Sequence, residues 1–295
     1  MIEAGVFMSE LSKIKTFAVI GGDKRQLYLA DSLARDGFRV ILGGFDKLLS
    51  VGAVALSDVS GALRCCDAAI FPLPCLRMDN SLNTPFSDEK RYLSEKDCDL
   101  LSQIPVCAGM ADKLLRAYPF LQKGRVFDYA GREDFAVLNA VPTAEGAIQR
   151  AMEEYEGTIA HSRVLIVGFG RIGKVLARLL HALNADVTVT ARKPGDLAMI
   201  RALGYKAADT AALKGVDGAD IVFNTVPSLI FDRELLKNTD PDTLIIDLAS
   251  LPGGVNFEAA KTLGIDAVRA LSLPGRCAPK TAGEIIKTTV YHILS

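Results

Sequence analysis

The sequence predicts an α/β protein made of two doubly wound domains, each built on a parallel sheet. Short apolar runs alternate with helical apolar spacing along the chain, and this alternation starts again near residue 161. Two glycine-containing turns each follow an apolar run, VIGGDKRQ at 19–26 and VLIVGFGRIGK at 164–174. Strands that alternate with helices favour a parallel sheet covered by helices on both faces.

The first half has the strand pattern of a flavodoxin-like domain. Its helix is predicted at Gln26–Arg35, where apolar residues recur at helical spacing. A polar stretch between Cys75 and Asp97 is long for a connection, so we interpret it as a functional or a mobile loop. The predicted strands are Thr16–Ile20, Arg39–Leu42, Asp67–Phe71, Ile104–Ala108 and Val126–Tyr129.

The second half repeats the pattern, and two further helices join the halves. The joining helices are predicted at Pro142–Gly157, with proline in the first turn, and at Thr281–Leu294. We expect the last helix to pack back on the first domain, so that the chain crosses between domains twice. The predicted domains are therefore 1–142 plus 281–295, and 143–280. The remaining predicted elements are strands Val164–Val167, Asp186–Thr190, Ile221–Asn224, Leu244–Asp247 and Val268–Ala270, and helices Gly173–Ala182 and Leu197–Leu203.

Composition limits the class of partner. The net charge is −1, which gives no electrostatic reason to expect nucleic acid or an anionic membrane. No apolar run approaches the roughly 18 residues that a membrane span needs. The first 15 residues carry Glu3 and lack an apolar core, so we expect no signal peptide and a cytoplasmic protein; whether Met8 is the start is left open. The six cysteines form no CxxC pair, so we expect reduced, mostly buried thiols and no metal site.

The second glycine-rich turn has the spacing of a dinucleotide-binding loop. It reads G-x-G-x-x-G directly after an apolar strand and directly before a helix. The first glycine permits the tight turn, the second lets the backbone approach a pyrophosphate, and the third lets helix and strand pack closely. The sequence therefore predicts a Rossmann domain whose loop residues are Gly168, Phe169, Gly170, Arg171, Ile172 and Gly173.

The end of the next strand indicates which dinucleotide. Thr190-Ala191-Arg192-Lys193 has no acid for the ribose hydroxyls of NAD and two cations where a 2′-phosphate would lie, which favours NADP. A solvated basic turn is the alternative. Ligands lie at the carboxyl ends of strands in such sheets, so two later turns are predicted to hold the nicotinamide and its ribose. For Thr225 and Ser250, turn capping is an equal alternative. The residues of these turns are Asn224, Thr225, Val226, Pro227, Asp247, Ala249 and Ser250.

Four motifs taken together resemble the A subunit of dipicolinate synthase. They are GGDKRQ at 21–26, LNAVPTAEGAI at 138–148, VGFGRIGK at 167–174 and LPGRCAPKTAGEII at 273–286. The resemblance implies NADP-dependent oxidation of dihydrodipicolinate to pyridine-2,6-dicarboxylate in the mother-cell cytosol of sporulating bacteria. It also implies the two-domain fold of formate and glycerate dehydrogenases, assembly as a homo-oligomer, and a flavoprotein-like B subunit as partner.

A small dicarboxylate substrate requires cations or helix N-termini to bind it. The loop at 21–26 lacks the third glycine, so we expect it to bind a substrate carboxylate through Arg25 or its backbone N–H groups. Asp23 is predicted to cap the helix or to act as base. Arg276 is the candidate for the second carboxylate, and Glu145 is a further catalytic candidate. Other candidates are Arg77, Asn139, Thr143 and Lys280.

Two other classes of function remain open from the residues alone. A 2-hydroxyacid dehydrogenase would need a histidine at the end of a late strand. His161, His181 and His292 lie elsewhere, and Leu273-Pro274-Gly275 contains none, which speaks against it. An imine or amino-acid dehydrogenase, or another NADP-dependent dehydrogenase of a small carboxylate, is compatible with the sequence. So is a non-catalytic NADP-binding subunit, because no unmistakable acid–base pair is present.

Overall fold

The computed structural model describes residues 10–52, 54–123, 125–216 and 218–295. The chain divides into two compact units, one up to Leu138 together with Pro279–Ser295, and one at Asn139–Ala278. Met8, the alternative start, and most of the segment searched for a signal peptide lie outside the described residues. No helix among the described residues is long and apolar enough to cross a membrane.

The first unit contains a parallel sheet with the order β3-β2-β1-β4-β5-β6. Without its short edge strand β3, this is the 2-1-3-4-5 order of flavodoxin, which agrees with the predicted fold class. The register runs from Thr16 opposite Arg39 to Ile20 opposite Gly43 on one side of β1, and β4 pairs on the other side. The strands are β1 (Thr16–Ile20), β2 (Arg39–Gly43), β3 (Ala55–Ser57), β4 (Ala68–Ile70), β5 (Pro105–Ala108) and β6 (Arg125–Asp128).

Every residue of β1 is buried, which shows that both faces of this sheet are covered. Phe17 and Val19 point into one apolar core, and Ala18 and Ile20 into the other. The last helix of the chain contributes Ile285 to the first of these cores, which agrees with the prediction that it returns to the first domain. The helices of this unit, numbered along the whole chain, are α1 (Glu10–Lys13), α2 (Lys24–Arg35), α3 (Val59–Arg64), α4 (Glu95–Gln103), α5 (Ala111–Ala117) and α12 (Pro279–Leu294), with a 3₁₀ turn at Pro119–Lys123.

The second unit contains a parallel sheet with the order β12-β11-β10-β7-β8-β9. Counted from its own first strand, this is the 3-2-1-4-5-6 order of a Rossmann domain, as predicted. Its central strand β7 sends Val164 and Ile166 to one core and Leu165 and Val167 to the other. The strands are β7 (Arg163–Val167), β8 (Asp186–Ala191), β9 (Lys206–Asp209), β10 (Ile221–Asn224), β11 (Leu244–Asp247) and β12 (Ala267–Arg269).

Six helices belong wholly or partly to the second unit in the described part of the chain. The boundary between the units falls inside α6, between Leu138 and Asn139. The helices are α6 (Glu133–Glu154), α7 (Arg171–Ala182), α8 (Pro194–Ala202), α9 (Arg233–Lys237), α10 (Phe257–Leu263) and α11 (Leu273–Cys277), with a 3₁₀ turn at Thr210–Ala212.

The predicted start of the first joining helix is wrong. The helix begins at Glu133 and ends at Glu154, so Pro142 lies in its interior and not in its first turn. A proline inside a helix removes one N–H donor and crowds the carbonyl four residues earlier. Glu133 and Asp134 lie in the first turn of this helix, where acids are favoured, and the Thr143 hydroxyl beside Pro142 donates to the Asn139 carbonyl at 2.7 Å.

Several elements were not predicted from the sequence. Strands β3 and β9 and the short helices α3, α5, α9, α10 and α11 are absent from the predicted pattern because they have few apolar residues in period. The polar stretch after Cys75 leads into α4, whose capping box joins Ser94 and Asp97. Within the stretch, Arg91 pairs with Asp46 at 2.9 Å. It therefore carries its own hydrogen bonds to the rest of the first unit.

Candidate functional site

The loop at Gly168–Gly173 has the geometry that its glycines predict. Gly168 has φ +103°, and a Cβ there would lie 2.5 Å from Thr225 Oγ1. A Cβ on Gly173 would collide with the Gly168 carbonyl oxygen, so this glycine permits α7 to lie against β7. A Cβ on Gly170 would meet no described atom within 4 Å, so the backbone faces open space at this position. The loop thus combines two packed glycines with one that leaves room for a ligand.

The N-terminus of α7 has no side-chain cap among the described residues. Its N-cap residue is Gly170, which has no side chain to accept a hydrogen bond from the first turn. Uncapped N–H groups and the positive end of the helix dipole attract an anion. The helix therefore fits a pyrophosphate placed against Gly170.

A cavity of about 320 Å³ opens beside this loop, at the carboxyl ends of β7, β8 and β10. Most of the residues predicted to bind the cofactor meet there. The hydroxyl of Thr225 is turned inward, donating to the Val167 carbonyl at 2.9 Å. The lining residues are Gly168, Phe169, Gly170, Ala191, Arg192, Lys193, Asp196, Thr210, Thr225, Val226, Pro227, Ser228 and Ile230.

Asp196 is a cavity residue that the sequence did not predict. It lies in the first turn of α8, beyond Pro194, and lines the same cavity as Arg192 and Lys193. NAD sites usually place their carboxylate at the end of the second strand, which here is β8, and Asp196 lies several residues later. The basic edge of the cavity therefore contains one carboxylate as well.

Thr190 supports the glycine loop from beneath and does not reach the cavity. Its side chain is fully buried, and its hydroxyl oxygen accepts from the Gly168 N–H at 3.3 Å and from the Thr210 hydroxyl at 2.9 Å. The predicted hydroxyl at the strand end is thus bound to the protein itself. Among the other loop residues, Ile172 packs on the core and Arg171 opens α7.

Asn224 and Asp247 bind each other, and neither lines the cavity. Both are 0% exposed, and the Asn224 amide nitrogen donates to Asp247 Oδ1 at 2.7 Å. The same carboxylate accepts from the backbone N–H groups of Ala249 at 3.3 Å and Gly254 at 3.0 Å. Asn224 also accepts from the Val226 N–H at 3.2 Å. The pair therefore fixes the turns after β10 and β11, and Ser250 stays exposed in the second of these turns.

The loop at 21–26 in the first unit is filled by its own residues. Asp23 caps α2 by accepting from the Arg25 N–H at 3.0 Å. Its carboxylate also pairs with the Arg25 side chain, whose Nη2 is 3.0 Å from Oδ2. That Nη2 donates to the Leu73 carbonyl as well, at 2.8 Å. In this structure the Arg25 side chain is therefore mostly buried, and its Nε and Nη2 are bound to the protein.

The backbone donors of this loop are also mostly in use. Gly21 N–H donates to the Gly43 carbonyl at 2.8 Å and Gly22 N–H to the Asn83 carbonyl at 2.7 Å. Gln26 N–H donates to the Asp23 carbonyl at 3.0 Å. These bonds and the Asp23 cap thus use the N–H groups of Gly21, Gly22, Arg25 and Gln26.

Glu145 and Arg276 lie in the second unit. Glu145 is exposed on α6. Arg276 lies in α11 and lines a hollow of about 140 Å³ with Arg150 and Glu153. Arg150 donates to Glu153 at 2.9 Å, and this bond is the main cause that lowers the pKa of that carboxyl. The hollow thus contains two arginines and one carboxylate that is already paired.

The cysteines behave as small packing residues. Three are buried, and burial raises the pKa of the Cys107 thiol to about 12. The Cys277 thiol donates to the carbonyls of Leu273 at 2.9 Å and Pro142 at 3.2 Å. The described residues contain no group of histidine, cysteine and acid side chains that could hold a metal ion.

Comparison with known proteins identifies the family. The A subunit of dipicolinate synthase from Bacillus subtilis (strain 168) is 36% identical over 282 residues, which cover 94% of this chain and 95% of that protein. This chain belongs to the family of dipicolinate synthase A subunits. Two family models match successive parts of it. Residues 16–130 match the N-terminal domain of these A subunits, and residues 139–250 match the NAD binding domain of D-isomer specific 2-hydroxyacid dehydrogenases.

Two solved structures of dipicolinate synthase A subunits share the fold. The Bacillus halodurans protein is 31% identical with a TM-score of 0.84, covering 95% of this chain and 98% of that one. The Bacillus subtilis protein is 33% identical with a TM-score of 0.82, covering 95% of both. The fold class is therefore shared with relatives over nearly the full length of this chain. The dehydrogenase type of the second domain follows from its family model.

The histidines of this dipicolinate synthase family member lie away from the dinucleotide loop. His181 is in α7 with its ring 5.5 Å from that of Tyr205, and His161 precedes β7 in a turn with φ +66°. His292 in α12 has Nδ1 2.9 Å from Asp134 Oδ2. None of them lines the cavity beside Gly170.

Proposed function

We propose that this chain is an NADP-dependent dehydrogenase that oxidises dihydrodipicolinate to pyridine-2,6-dicarboxylate. The observation that carries the proposal is the match to a dipicolinate synthase A subunit over 94% of the chain, with the dinucleotide loop inside the matched region. When bound, a nicotinamide cofactor would supply the acceptor for a hydride from a ring carbon of the substrate, with a proton lost from the neighbouring ring atom. Aromatisation supplies the driving force, so positioning of the ring is the main task of the protein.

The residues beside the cavity support a nicotinamide cofactor. We propose that the α7 N-terminus and Gly170 bind the pyrophosphate, and that Thr225, Val226 and Pro227 lie against the nicotinamide ribose. Asn224, Asp247 and Ala249 hold these turns in place through their mutual hydrogen bonds. We propose that Ser250, next to Ala249 in the turn after β11, also contacts the cofactor.

We propose NADP and not NAD as the physiological cofactor. Arg192 and Lys193 follow β8 at the edge of the cavity, where they would bind a 2′-phosphate. Asp196 opposes this charge from the first turn of α8. The preference for NADP is therefore expected to be limited by that carboxylate.

We propose that Arg276 binds one carboxylate of the substrate and that Glu145 takes part in the proton transfer. Asp23 is the less suitable base, because it already caps α2 and pairs with Arg25. Arg25 then acts by holding the loop at 21–26 in shape. We further propose a homo-oligomer that acts with a flavoprotein-like B subunit in the mother-cell cytosol.

A coupled assay tests the proposal. The purified chain, alone and with the B subunit, is incubated with freshly prepared dihydrodipicolinate and either NADP or NAD. Formation of the reduced cofactor and of pyridine-2,6-dicarboxylate is followed at the same time. Turnover by the chain alone supports an intrinsic dehydrogenase. Absence of turnover in both preparations, with dinucleotide binding intact, would refute the substrate.

The assay also separates the second candidate, a non-catalytic NADP-binding subunit. This candidate is favoured by one observation, that the predicted acid–base residue Asp23 is paired with Arg25. A chain that binds NADP but leaves all turnover to the B subunit would support it. Activity of the same preparation on another small carboxylate or imino acid would instead indicate a related dehydrogenase.

A further inference from the structure

We propose that the side chain of Gln26, assisted by Thr84, binds a carboxylate of the substrate in the first unit. This inference rests on the proposed function for the identity of that ligand. It starts from three polar atoms that are buried without a hydrogen-bond partner among the described residues, Gln26 Nε2, Gln26 Oε1 and Thr84 Oγ1. Both residues are 0% exposed.

The position of these atoms is where a doubly wound sheet binds its ligands. The strand order of the first sheet reverses between β1 and β4. Ligands lie at such a switch point, outside the carboxyl ends of the strands. The loop after β1 carries Gly21 and Gly22, and Arg25 reaches across to the Leu73 carbonyl after β4. The Gln26 carboxamide lies against Gly22 and the Thr84 methyl lies against Gly21, both in the loop after β1.

The protein holds both side chains in place without satisfying them. The Gln26 carboxamide rests on Gly22, where a Cβ would lie 2.5 Å from Gln26 Cδ. The Thr84 methyl is wedged between Gly21 and Gly44, whose added Cβ atoms would lie 2.9 Å and 2.8 Å from it. Three glycines with positive φ thus make room for these two polar residues.

Packing alone does not account for the choice of residues. A buried amide without partners destabilises a fold, and an apolar residue of similar size would fill the same space. Positions that break this rule in natural proteins are commonly functional. Nε and Nη2 of Arg25 and the N–H groups of Gly21 and Gly22 are already bound. The Gln26 amide is a fully buried side-chain donor of this loop without a partner among the described residues.

The chemistry of a carboxamide defines the ligand group. Nε2 donates to a carboxylate oxygen, and Oε1 accepts from an N–H or O–H on the neighbouring atom. A partly reduced pyridine-2-carboxylate presents the carboxylate, and it presents an N–H beside it when the ring nitrogen carries a proton. Because Gln26 and Thr84 are 0% exposed, this binding requires the Gln26 side chain to rotate away from Gly22.

The alternative is that Gln26 only completes the helix cap. Glutamine three residues after the N-cap position can reach back to the N-cap N–H. In that case its loss lowers stability and leaves binding unchanged. If Gln26 binds the ligand, Gln26→Leu lowers the affinity but not the stability, because replacing an unpaired buried amide by leucine does not lower stability.

The test measures binding and stability together in the full-length chain. Pyridine-2,6-dicarboxylate is titrated by calorimetry into the wild type and into Gln26→Leu, Gln26→Glu and Thr84→Val. Gln103→Leu, an exposed glutamine at the end of α4, is the matched control. We expect Gln26→Leu to bind at least tenfold more weakly, about 1.4 kcal/mol, with an equal or higher Tm. We expect Gln26→Glu to weaken binding further through charge repulsion.

The remaining outcomes of these titrations also support or overturn the inference. Wild-type affinity in Gln26→Leu overturns it, whatever the Tm. If Gln26→Leu does not fold, Gln26→Glu and Thr84→Val decide, and wild-type affinity in both overturns it. If the wild type does not bind pyridine-2,6-dicarboxylate, which is the product of the proposed reaction, the variants are titrated with pyridine-2-carboxylate and 2-hydroxyglutarate. Loss of such binding in Gln26→Leu supports the inference, and absence of binding for all three compounds overturns it. The proposed substrate is decided by the coupled assay and not by these titrations.

Discussion

Arg25 and Asp23 form a two-point ion pair across the first turn of α2, with Nε 2.9 Å from Oδ1 and Nη2 3.0 Å from Oδ2. The Arg25 side chain is only 9% exposed, and Nη2 also binds the Leu73 carbonyl. The pair therefore ties the loop after β1 to the loop after β4. The two residues that the sequence offers as carboxylate clamp and base act on each other.

The first prediction concerns this pair. Arg25→Ala leaves the Asp23 carboxylate and the Leu73 carbonyl without this partner, so we expect about 1–3 kcal/mol of destabilisation of the first unit. Thermal unfolding measures the loss. Arg35→Ala, which removes an exposed arginine from the same helix, is the control. An unchanged Tm together with a raised Michaelis constant would instead restore Arg25 as a substrate ligand.

The second prediction separates two glycines of one motif. Gly170→Ala should lower the Tm only slightly, because alanine is a poorer N-cap residue than glycine. It should bind dinucleotide at least tenfold more weakly, because its Cβ enters the space of the pyrophosphate. Gly173→Ala should lower the Tm, because its Cβ meets the Gly168 carbonyl. Cofactor titration and thermal unfolding of both variants provide the comparison. A fall in Tm for Gly170→Ala as large as that for Gly173→Ala would show that the surroundings of Gly170 are packed.

The third prediction tests the choice of dinucleotide. The double variant Arg192→Ala/Lys193→Ala should lose about 10- to 100-fold in affinity for NADP and little for NAD, since only NADP carries the 2′-phosphate. Arg201→Ala on the exposed side of α8 is the matched control. Equal losses for both dinucleotides would contradict the assignment to NADP.

The fourth prediction concerns the acid in the same cavity. Asp196→Asn removes a negative charge near Arg192 and Lys193, and we expect NADP affinity to rise by a few-fold at low salt. The gain should shrink as ionic strength increases. Fluorescence titration at two salt concentrations measures it. A loss of NAD affinity instead would indicate that Asp196 binds ribose hydroxyls.

The fifth prediction concerns acid stability at the contact between α2 and α12. Lys287 Nζ and the Tyr291 hydroxyl each donate to Asp36 Oδ2 at 2.8 Å, and they hold the pKa of that carboxyl below its usual 3.8. A depressed folded-state pKa contributes stability above the unfolded value, and this is lost as the pH falls through the folded value.

The Tm difference between wild type and Asp36→Asn should therefore be present at pH 7 and vanish as the pH falls below about 4. The contact is partly exposed, so a difference of about 1 kcal/mol or less is expected. Lys287→Met should remove the same pH-dependent part. A difference that persists unchanged at pH 2 would exclude ionisation of Asp36 as its origin.

The parts of this site that are predictable from sequence are those fixed by local geometry. The spacing of Gly168, Gly170 and Gly173 dictates a turn, an opening and a close contact, and each is found. The roles of Asn224 and Asp247 were not predictable. Polar residues at strand ends suit either a ligand or one another, and only the pairing of β10 with β11 brings these two within 2.7 Å.

Helix α6 and the loop at 21–26 also show what could not be predicted from the sequence. Pro142 follows the rule for helix starts, yet stable flanking turns carry the helix through it. Arg25 has the residue type of a carboxylate ligand, but Asp23 two positions earlier satisfies it first. Sequence shows which groups need partners, and the fold decides which partner is nearest.

The Asn224–Asp247 pair also determines what substitutions of its neighbours do to the protein. Gly253 has φ +90° and a Cβ there would lie 2.6 Å from Asp247 Oδ2, while a Cβ on Gly254 would strike the Asn224 amide and lie 2.7 Å from the Val226 carbonyl. Neither glycine lines the cavity. A mutational scan scored by activity would nevertheless rank both with the cofactor ligands. In these turns, a loss of activity on substitution therefore identifies residues that support the turns as well as residues that bind the cofactor. A titration with the dinucleotide distinguishes the two kinds of residue.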